Sequence, residues 1–312
     1  MNINESRPLV SVGMPTYNRA VTLRRAIESV LAQDYPHFEL VISDNASTDE
    51  TQALCEEFCK RDSRIRYIRQ PVNCGANANF RKVLDQSRGE FFMWLADDDW
   101  LDYSYVSACV EGLMQDPACA LVSGRARYYR GSVLAFQERP VNLLSESPPA
   151  RVRAYYRSVA SNGIFYGVMR RRLLTRIPLP NIVGGDWLIL AAIAFFGKIR
   201  TLNEIVVHRS LGGASNTPEA LVASVSKVPQ FYLQNLYLYI AVKAFEDISY
   251  HSQVYDSLSQ RSRVLLAGEV FATIFVRYCI PVWLTRLREG LGLPPGFATW
   301  LRQLRARESD AL

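Results

Sequence analysis

VSVGMPTYNRAVTLRRAIESVLAQDYPHFELVISDNASTDET, residues 10–51, passes twice through one pattern. A β-rich run, Leu9 to Met14, leads through the polar turn Pro15, Thr16, Tyr17, Asn18 into Arg19 to Ala32, where Leu23, Ile27, Val30 and Leu31 share one helical face. A second apolar run, Phe38 to Ile42, leads through Ser43 to Asp49 into a second helix, Thr51 to Cys59. Working outward, Ile65 to Ile68 reads as a third strand, Asn77 to Ser87 as a third helix and Glu90 to Leu95 as a fourth strand. Strands alternating with helices predict a doubly wound, mostly parallel sheet, whose ligands bind at the carboxyl ends of the strands. Ser47 or Thr48 is expected to cap the second helix, with Asp49 complementing its dipole. Asp44 comes too early for a cap, and the pattern puts it at a strand end beside the Thr16 loop.

The fourth strand runs into Asp97, Asp98 and Asp99, with Trp100 beyond them. Adjacent carboxylates repel, and the remedies are raised pKa values, solvation at a loop tip or a divalent cation with hard oxygen ligands. Apolar residues on both sides argue against a loop tip and for a metal site in a crevice.

The chain has 312 residues, 49% of them hydrophobic, enough for a large core in roughly two domains or one with an appendage. Its formal charge of +6 is uneven, because residues 261 to 312 carry eight arginines against four acidic residues. On Phe297 to Arg307 the arginines flank Phe297, Trp300, Leu301 and Leu304 at helical spacing, which favours an anionic lipid surface over nucleic acid. A helix packed on the core or on a second copy of the chain is the alternative reading of the same stretch. Six cysteines without a CxxC pair indicate neither a zinc ribbon nor a disulfide framework, and reduced thiols fit a cytosolic setting. MNINESRPLV lacks the apolar stretch of a signal peptide. Val264 to Leu284 is expected to fail as a membrane span because of Glu269 and Arg277, and Trp187 to Gly197 because of its length.

Between residues 106 and 215 the pattern is less regular. A helix is expected near Tyr105 to Met114, strands near Ala120 to Tyr129, Gly163 to Met169 and Ile205 to Val207, and a Pro-rich loop near Ser145 to Pro149. Gly184, Gly185 and Asp186 open an uninterrupted apolar helix to Phe196, in which Asp186 is also a good N-cap candidate. His208 to Pro218 reads as a mobile loop, and the chain beyond Leu221 as helical.

Four segments in order resemble glycosyltransferase family 2, the inverting nucleotide-sugar transferases of the GT-A fold. They are the opening stretch, NCGANANF, FFMWLADDDW and GGDW, and the resemblance runs from about Pro8 to Ser215. It implies a Rossmann-like, mostly parallel central sheet flanked by helices, with a helical C-terminal extension. Residues 1–105 would form the nucleotide-sugar-binding half, 106–215 the acceptor-binding half and 216–312 a membrane-associating or oligomerising helical region.

The resemblance also implies residue roles. Asp99 matches the metal ligand and Asp98 its neighbour near ribose or metal, holding Mn2+ or Mg2+ against the leaving diphosphate. Asp97 occupies the variable position on the nucleotide side, and Ala96 stands where the family commonly has a first aspartate. Asp44 matches the carboxylate that accepts from the N3 hydrogen of uracil or thymine, a donor cytosine lacks. Pro15, Thr16, Tyr17 and Asn79 match positions lining the nucleotide, although Tyr17 can equally be a packing aromatic. Asp186 matches the catalytic base. Gly185 stands where relatives often carry Glu. His208 matches a position where some relatives place a histidine near the metal, and Gly212, Gly213 and Ser215 suit a loop closing over the donor.

The expected activity is inverting transfer of a sugar from a nucleotide-diphosphate donor, a UDP-sugar by preference, to a saccharide or lipid-linked saccharide in cell-surface polysaccharide synthesis. The expected location is the cytoplasm, at the inner face of the membrane. The rivals are a nucleotidyltransferase, disfavoured because PTYNR is neither glycine-rich nor strongly basic, and a sugar-binding scaffold without turnover.

Overall fold

The computed structural model describes residues 7–159, 161–211 and 228–290. Strands β1 (Val10–Thr16), β2 (Phe38–Asp44) and β4 (Phe91–Trp94) are buried along their whole lengths, and β3 (Ile65–Arg69) closes that edge. Helices α1 (Ala20–Leu31), α2 (Thr51–Arg61) and α3 (Ala76–Asp85) connect them. On α1 the residues Leu23, Ala26, Ile27 and Val30 are buried at the spacing that turns one helical stripe onto a sheet. Strands buried on both faces tend to read as apolar runs, as Leu40 to Ile42 of β2 do, while the buried Ser11 hydroxyl of β1 donates to the buried Glu39 carboxylate of β2 at 2.6 Å. The register pairs Thr16 with Asp44, so the polar loops after both strands open at one end of the sheet.

The sheet continues without a break into the middle third, in the order β3-β2-β1-β4-β8-β6-β9-β5 with β7 paired to β6. Its later members are β5 (Trp100–Leu101), β6 (Cys119–Arg130), β7 (Val133–Gln137), β8 (Val168–Arg170) and β9 (Lys198–Ser210). Strand β8 is antiparallel to both β4 and β6, and β6 runs parallel to β9. Helix α4 (Tyr105–Gln115) packs on β6. A register shift between Ser123 and Arg125 bends β6, and a Cβ at Gly124 would stand 2.5 Å from the Ile205 carbonyl oxygen.

The structure departs from the sequence reading at several places. Gly163–Tyr166 is a 3₁₀ turn, and the expected strand there shortens to β8. Pro148, inside the expected loop, opens helix α5 (Pro148–Ser158), and a short α6 (Arg171–Leu174) follows β8. Arg151, buried on α5, donates to the Ala194 and Phe195 carbonyls at 2.6 and 2.9 Å and so closes the last turn of α7 (Gly185–Phe196). Periodicity misses α5 because an inward guanidinium reads as polar. His208 to Ser210 belong to β9 rather than to a mobile loop, while residues 212–218 lie outside the described residues. Neither Ser47 nor Thr48 caps α2: Ser47 Oγ accepts from Asn18 N–H at 2.9 Å and the Thr48 N–H donates to Asn18 Oδ1 at 2.8 Å, which ties the first two loops together.

In the C-terminal part α9 (Gln260–Ile274) packs on α5 and on α8 (Leu236–Glu246), and α10 (Ile280–Gly290) follows it. Within the run Gln260–Leu287 an 18-residue window reaches a mean hydropathy of 1.6, so by length and composition alone Glu269 and Arg277 do not exclude a membrane-crossing helix there. Both charges turn toward the protein, Glu269 to Arg153 and Arg277 to the Arg157 carbonyl. The Phe297 to Arg307 stretch lies outside the described residues.

Candidate active site

Buried charge gathers where β1, β2, β4 and β9 end together. Burial drives the Asp97 carboxyl up to about 7, with the Asp98 charge adding to the rise and Thr16 and Arg19 opposing it. Burial likewise raises Asp98, against Arg19 and Arg209, and raises Asp99 to about 6, against Arg209. Asp99 is saturated, with Oδ2 accepting from Arg209 Nε at 3.0 Å and Oδ1 from the Ser210 N–H at 2.9 Å. Arg25 lies with its guanidinium carbon 3.6 Å from the Trp100 ring centroid and donates to the Asp98 carbonyl at 3.0 Å. Arg19 stands 3.9 Å from Asp97. Three arginines thus face three aspartates. Sequence reading missed all three, since Arg19 precedes and Arg25 sits on an ordinary amphipathic helix; the signal available was Arg209, a charge at the end of an apolar run.

The clustered carboxylates offer the hard oxygen donors that a divalent ion takes, with the three arginines already neutralising part of their charge. Among the described residues no three His, Cys, Asp or Glu side chains form a cage. Mg2+ and similar ions are commonly held by one or two carboxylates plus substrate phosphates, which Asp98 and Asp99 can offer once Arg209 releases Asp99. His208 does not join them. It stacks on Trp100 at 5.0 Å and 3°, its Nε2 lies 2.8 Å from Asp102 Oδ1 and its Nδ1 3.0 Å from the Tyr129 hydroxyl. Both ring nitrogens are engaged, and strand alternation turns His208 away from the face that carries Arg209.

Asp44 is fully buried. Its Oδ1 accepts from the Ser47 N–H at 2.8 Å and its Oδ2 from the Tyr67 hydroxyl at 2.7 Å, with Arg69 at 3.7 Å. Asn79 Nδ2 donates to the Ser43 and Thr16 carbonyls at 2.8 and 3.2 Å, pinning α3 to both strands. Pro15 lies within β1, while Tyr17 is 44% exposed and free to receive a ring. The buried Thr16 and Ser43 hydroxyls have no well-formed hydrogen bond among the described residues.

Asp186 is the second residue of α7, after Gly184 in a left-handed conformation (φ 76°) that leaves no room for a side chain beside Ile240. It is therefore not the N-cap. Burial raises its pKa, while the Asn162 amide and the backbone N–H groups of Trp187 and Asp186 lower it. Dense protein surrounds the carboxyl, yet the residue keeps some accessible surface on a cleft of about 310 Å³. The same cleft is lined by Arg209, Asn162, Tyr166 and the stacked pair Trp94 and Phe165, whose centroids lie 4.7 Å apart. The structure thus places the candidate base and the arginine that holds Asp99 on one cleft.

The family described as "Glycosyl transferase family 2" matches residues 11–177, more than half the chain. The chain belongs to glycosyl transferase family 2. It is 40% identical over 109 residues to the GalNAc(5)-diNAcBac-PP-undecaprenol beta-1,3-glucosyltransferase of Campylobacter jejuni, a match covering 35% of this chain and 34% of that one. To the putative colanic acid biosynthesis glycosyl transferase WcaA of Escherichia coli it is 32% identical over 161 residues, 52% of this chain and 57% of the relative. The matches therefore span about a third and rather over half of these curated relatives. Among solved structures, S. aureus TarS 1–349 in complex with UDP-GlcNAc superposes with a TM-score of 0.62 at 17% identity, over 90% of this chain and 80% of that one. The mannosyltransferase PcManGT of Pyrobaculum calidifontis, in complex with GDP-Man and Mn2+, gives 0.50 at 18% identity, over 94% and 83%. This family 2 chain accordingly has the GT-A fold of TarS.

Proposed function

We propose that this family 2 chain is an inverting glycosyltransferase that moves a sugar from a UDP-sugar to a hydroxyl of a saccharide or lipid-linked saccharide during cell-surface polysaccharide synthesis. One observation carries the reading: Asp186 and Arg209 line a single cleft, and Arg209 reaches back to Asp99 at the nucleotide side. Asp186 accepts the proton of the acceptor hydroxyl, whose oxygen forms the new bond at the anomeric carbon. The bond to the diphosphate breaks with its electron pair leaving on the phosphate oxygen. Arg209, Arg19 and Arg25 hold positive charge where that negative charge grows. Mn2+ or Mg2+ at Asp98 and Asp99 supplies further neutralisation of the diphosphate when bound.

UDP is the favoured donor nucleotide, because TarS is described with UDP-GlcNAc and because the buried Ser43 hydroxyl, without a hydrogen bond among the described residues, stands next to Asp44. Asp44 reads the base after rearranging around Tyr67, and Asp97 helps to hold the ribose side. A lipid-linked acceptor is favoured by the name of the Campylobacter jejuni relative and by Leu265, Val276, Trp283 and Leu287, exposed along α9 and α10. That face suits the cytoplasmic leaflet, with a second copy of the chain as the competing occupant. The deciding assay offers a panel of nucleotide sugars with and without manganese and reads transfer and hydrolysis by mass spectrometry. Metal-dependent turnover of a UDP-sugar that is absent in Asp186→Asn supports the reading, and equal turnover by that variant overturns it.

A further inference from the structure

Asn162 has a left-handed backbone (φ 54°), a conformation that asparagine tolerates better than most residues, and its amide faces two partners. Nδ2 donates to Asp186 Oδ2 at 2.7 Å, and Oδ1 accepts from the Tyr155 hydroxyl at 2.9 Å. Tyr155 is fully buried on α5, so the amide is oriented from behind. A flipped amide would set its carbonyl oxygen against the Asp186 carboxylate. The peptide stretch around Asn162 is itself held: the two carboxylate oxygens of Glu138 accept from the Ser161 and Gly163 N–H groups, each at 2.8 Å. A Cβ at Gly163 would lie 2.2 Å from Glu138 Oε2, so the turn has no space to shift.

We propose that Asn162 is the positioning residue of the base: gripped by Glu138 through its backbone and by Tyr155 through its amide, it donates to Asp186 Oδ2 and so fixes the plane in which the carboxylate meets the acceptor hydroxyl. This rests on Asp186 being the base and adds the device that aims it. An N–H bonded to a carboxylate also favours the ionised form, opposing the rise that burial imposes. The other charged and titratable groups that act on or beside Asp186 are Arg209 on β9 and Tyr155 and Tyr156 on α5, with Tyr278 next to Tyr155. The tyrosines are all pushed upward and the arginine stays charged, so none of them changes charge in the acid limb.

The test compares Asn162→Gly, which keeps the left-handed backbone without the amide, and Asn162→Asp, which keeps the shape but adds a negative charge. Profiles of kcat/KM against pH are measured with metal and donor saturating, beside nucleotide affinity by calorimetry and thermal melts. Asn162→Gly is expected to lower kcat roughly 10- to 100-fold and to move the acid limb upward by about one unit, with donor affinity unchanged. Asn162→Asp should move the limb further, and Tyr155→Phe should move it the same way by less, which keeps the test alive if Asn162→Gly folds poorly. A lower Tm with an unmoved acid limb would make Asn162 a structural brace and overturn the inference. Asp186→Asn assayed in parallel separates the two failures, since turnover there removes the base assignment itself.

Discussion

Arg209 Nε lies 3.0 Å from Asp99 Oδ2, and the same guanidinium reaches the Tyr128 and Tyr166 hydroxyls at 3.0 and 3.2 Å. An arginine so bonded places a positive charge between the aspartate triplet and the Asp186 cleft. Buried pairs of this kind are costly to break from one side, because the remaining partner is left charged without water. Arg209→Met should therefore destabilise the fold by about 3 kcal/mol, and Arg209→Lys, which keeps the charge but loses the fork, by less. Both should lower kcat/KM by roughly 10²- to 10³-fold if the guanidinium stabilises the leaving diphosphate. Chemical denaturation and steady-state kinetics on the two variants check this together.

Asp186 is held above the usual aspartate range by burial. A base must be ionised to accept a proton, so kcat/KM should fall as pH drops through that raised value, earlier than an exposed aspartate would allow. Asp186→Asn should cut turnover by at least about 10²-fold while nucleotide binding stays intact, a pattern read by pairing rates with calorimetry.

His208 is joined to Asp102 and Tyr129 and stacked on Trp100. Substitution His208→Gln should cost about 1–2 kcal/mol of stability and leave the metal concentration for half-maximal activity unchanged. A manganese titration of activity decides, and a large rise in the requirement would bring His208 back to the metal.

Asp247, in the helical turn after α8, is raised to about 7 by burial, with Arg263 opposing. Its folded value lies above the unfolded one of about 3.9, so the folded protein keeps this proton while the unfolded chain loses it, and stability falls as pH rises from about 4 to 7. Asp247→Asn removes that dependence. Its Tm advantage over wild type should be near zero at pH 4 and correspond to about 4 kcal/mol at pH 8, measured by melts across that range.

The first half of the fold was legible because each element there announces itself locally. Leu23, Ile27 and Val30 mark one stripe of α1, and the apolar residues Val10, Val12 and Met14 mark β1 as Leu40, Val41 and Ile42 mark β2. Helix α5 and strand β7 were not legible: α5 turns Arg151 inward to carbonyls of another helix, and β7 is a mostly exposed hairpin strand. In the site, the triplet stood out as carboxylates ending an apolar strand and Asp186 as one opening an apolar helix. The partners of those carboxylates did not, because Asp99 and Arg209 are 110 residues apart and Asp186 and Asn162 meet only across a cleft.

By itself the sequence determined which residues line the strands and helices of the first half, and that the carboxylates follow strands or open a helix, since these depend on spacings of a few residues. The tertiary structure alone decided that Arg209 meets Asp99 while its neighbour His208 turns to Asp102. That choice follows from the register Trp100 to His208 between β5 and β9: a slip of one residue would exchange the two faces.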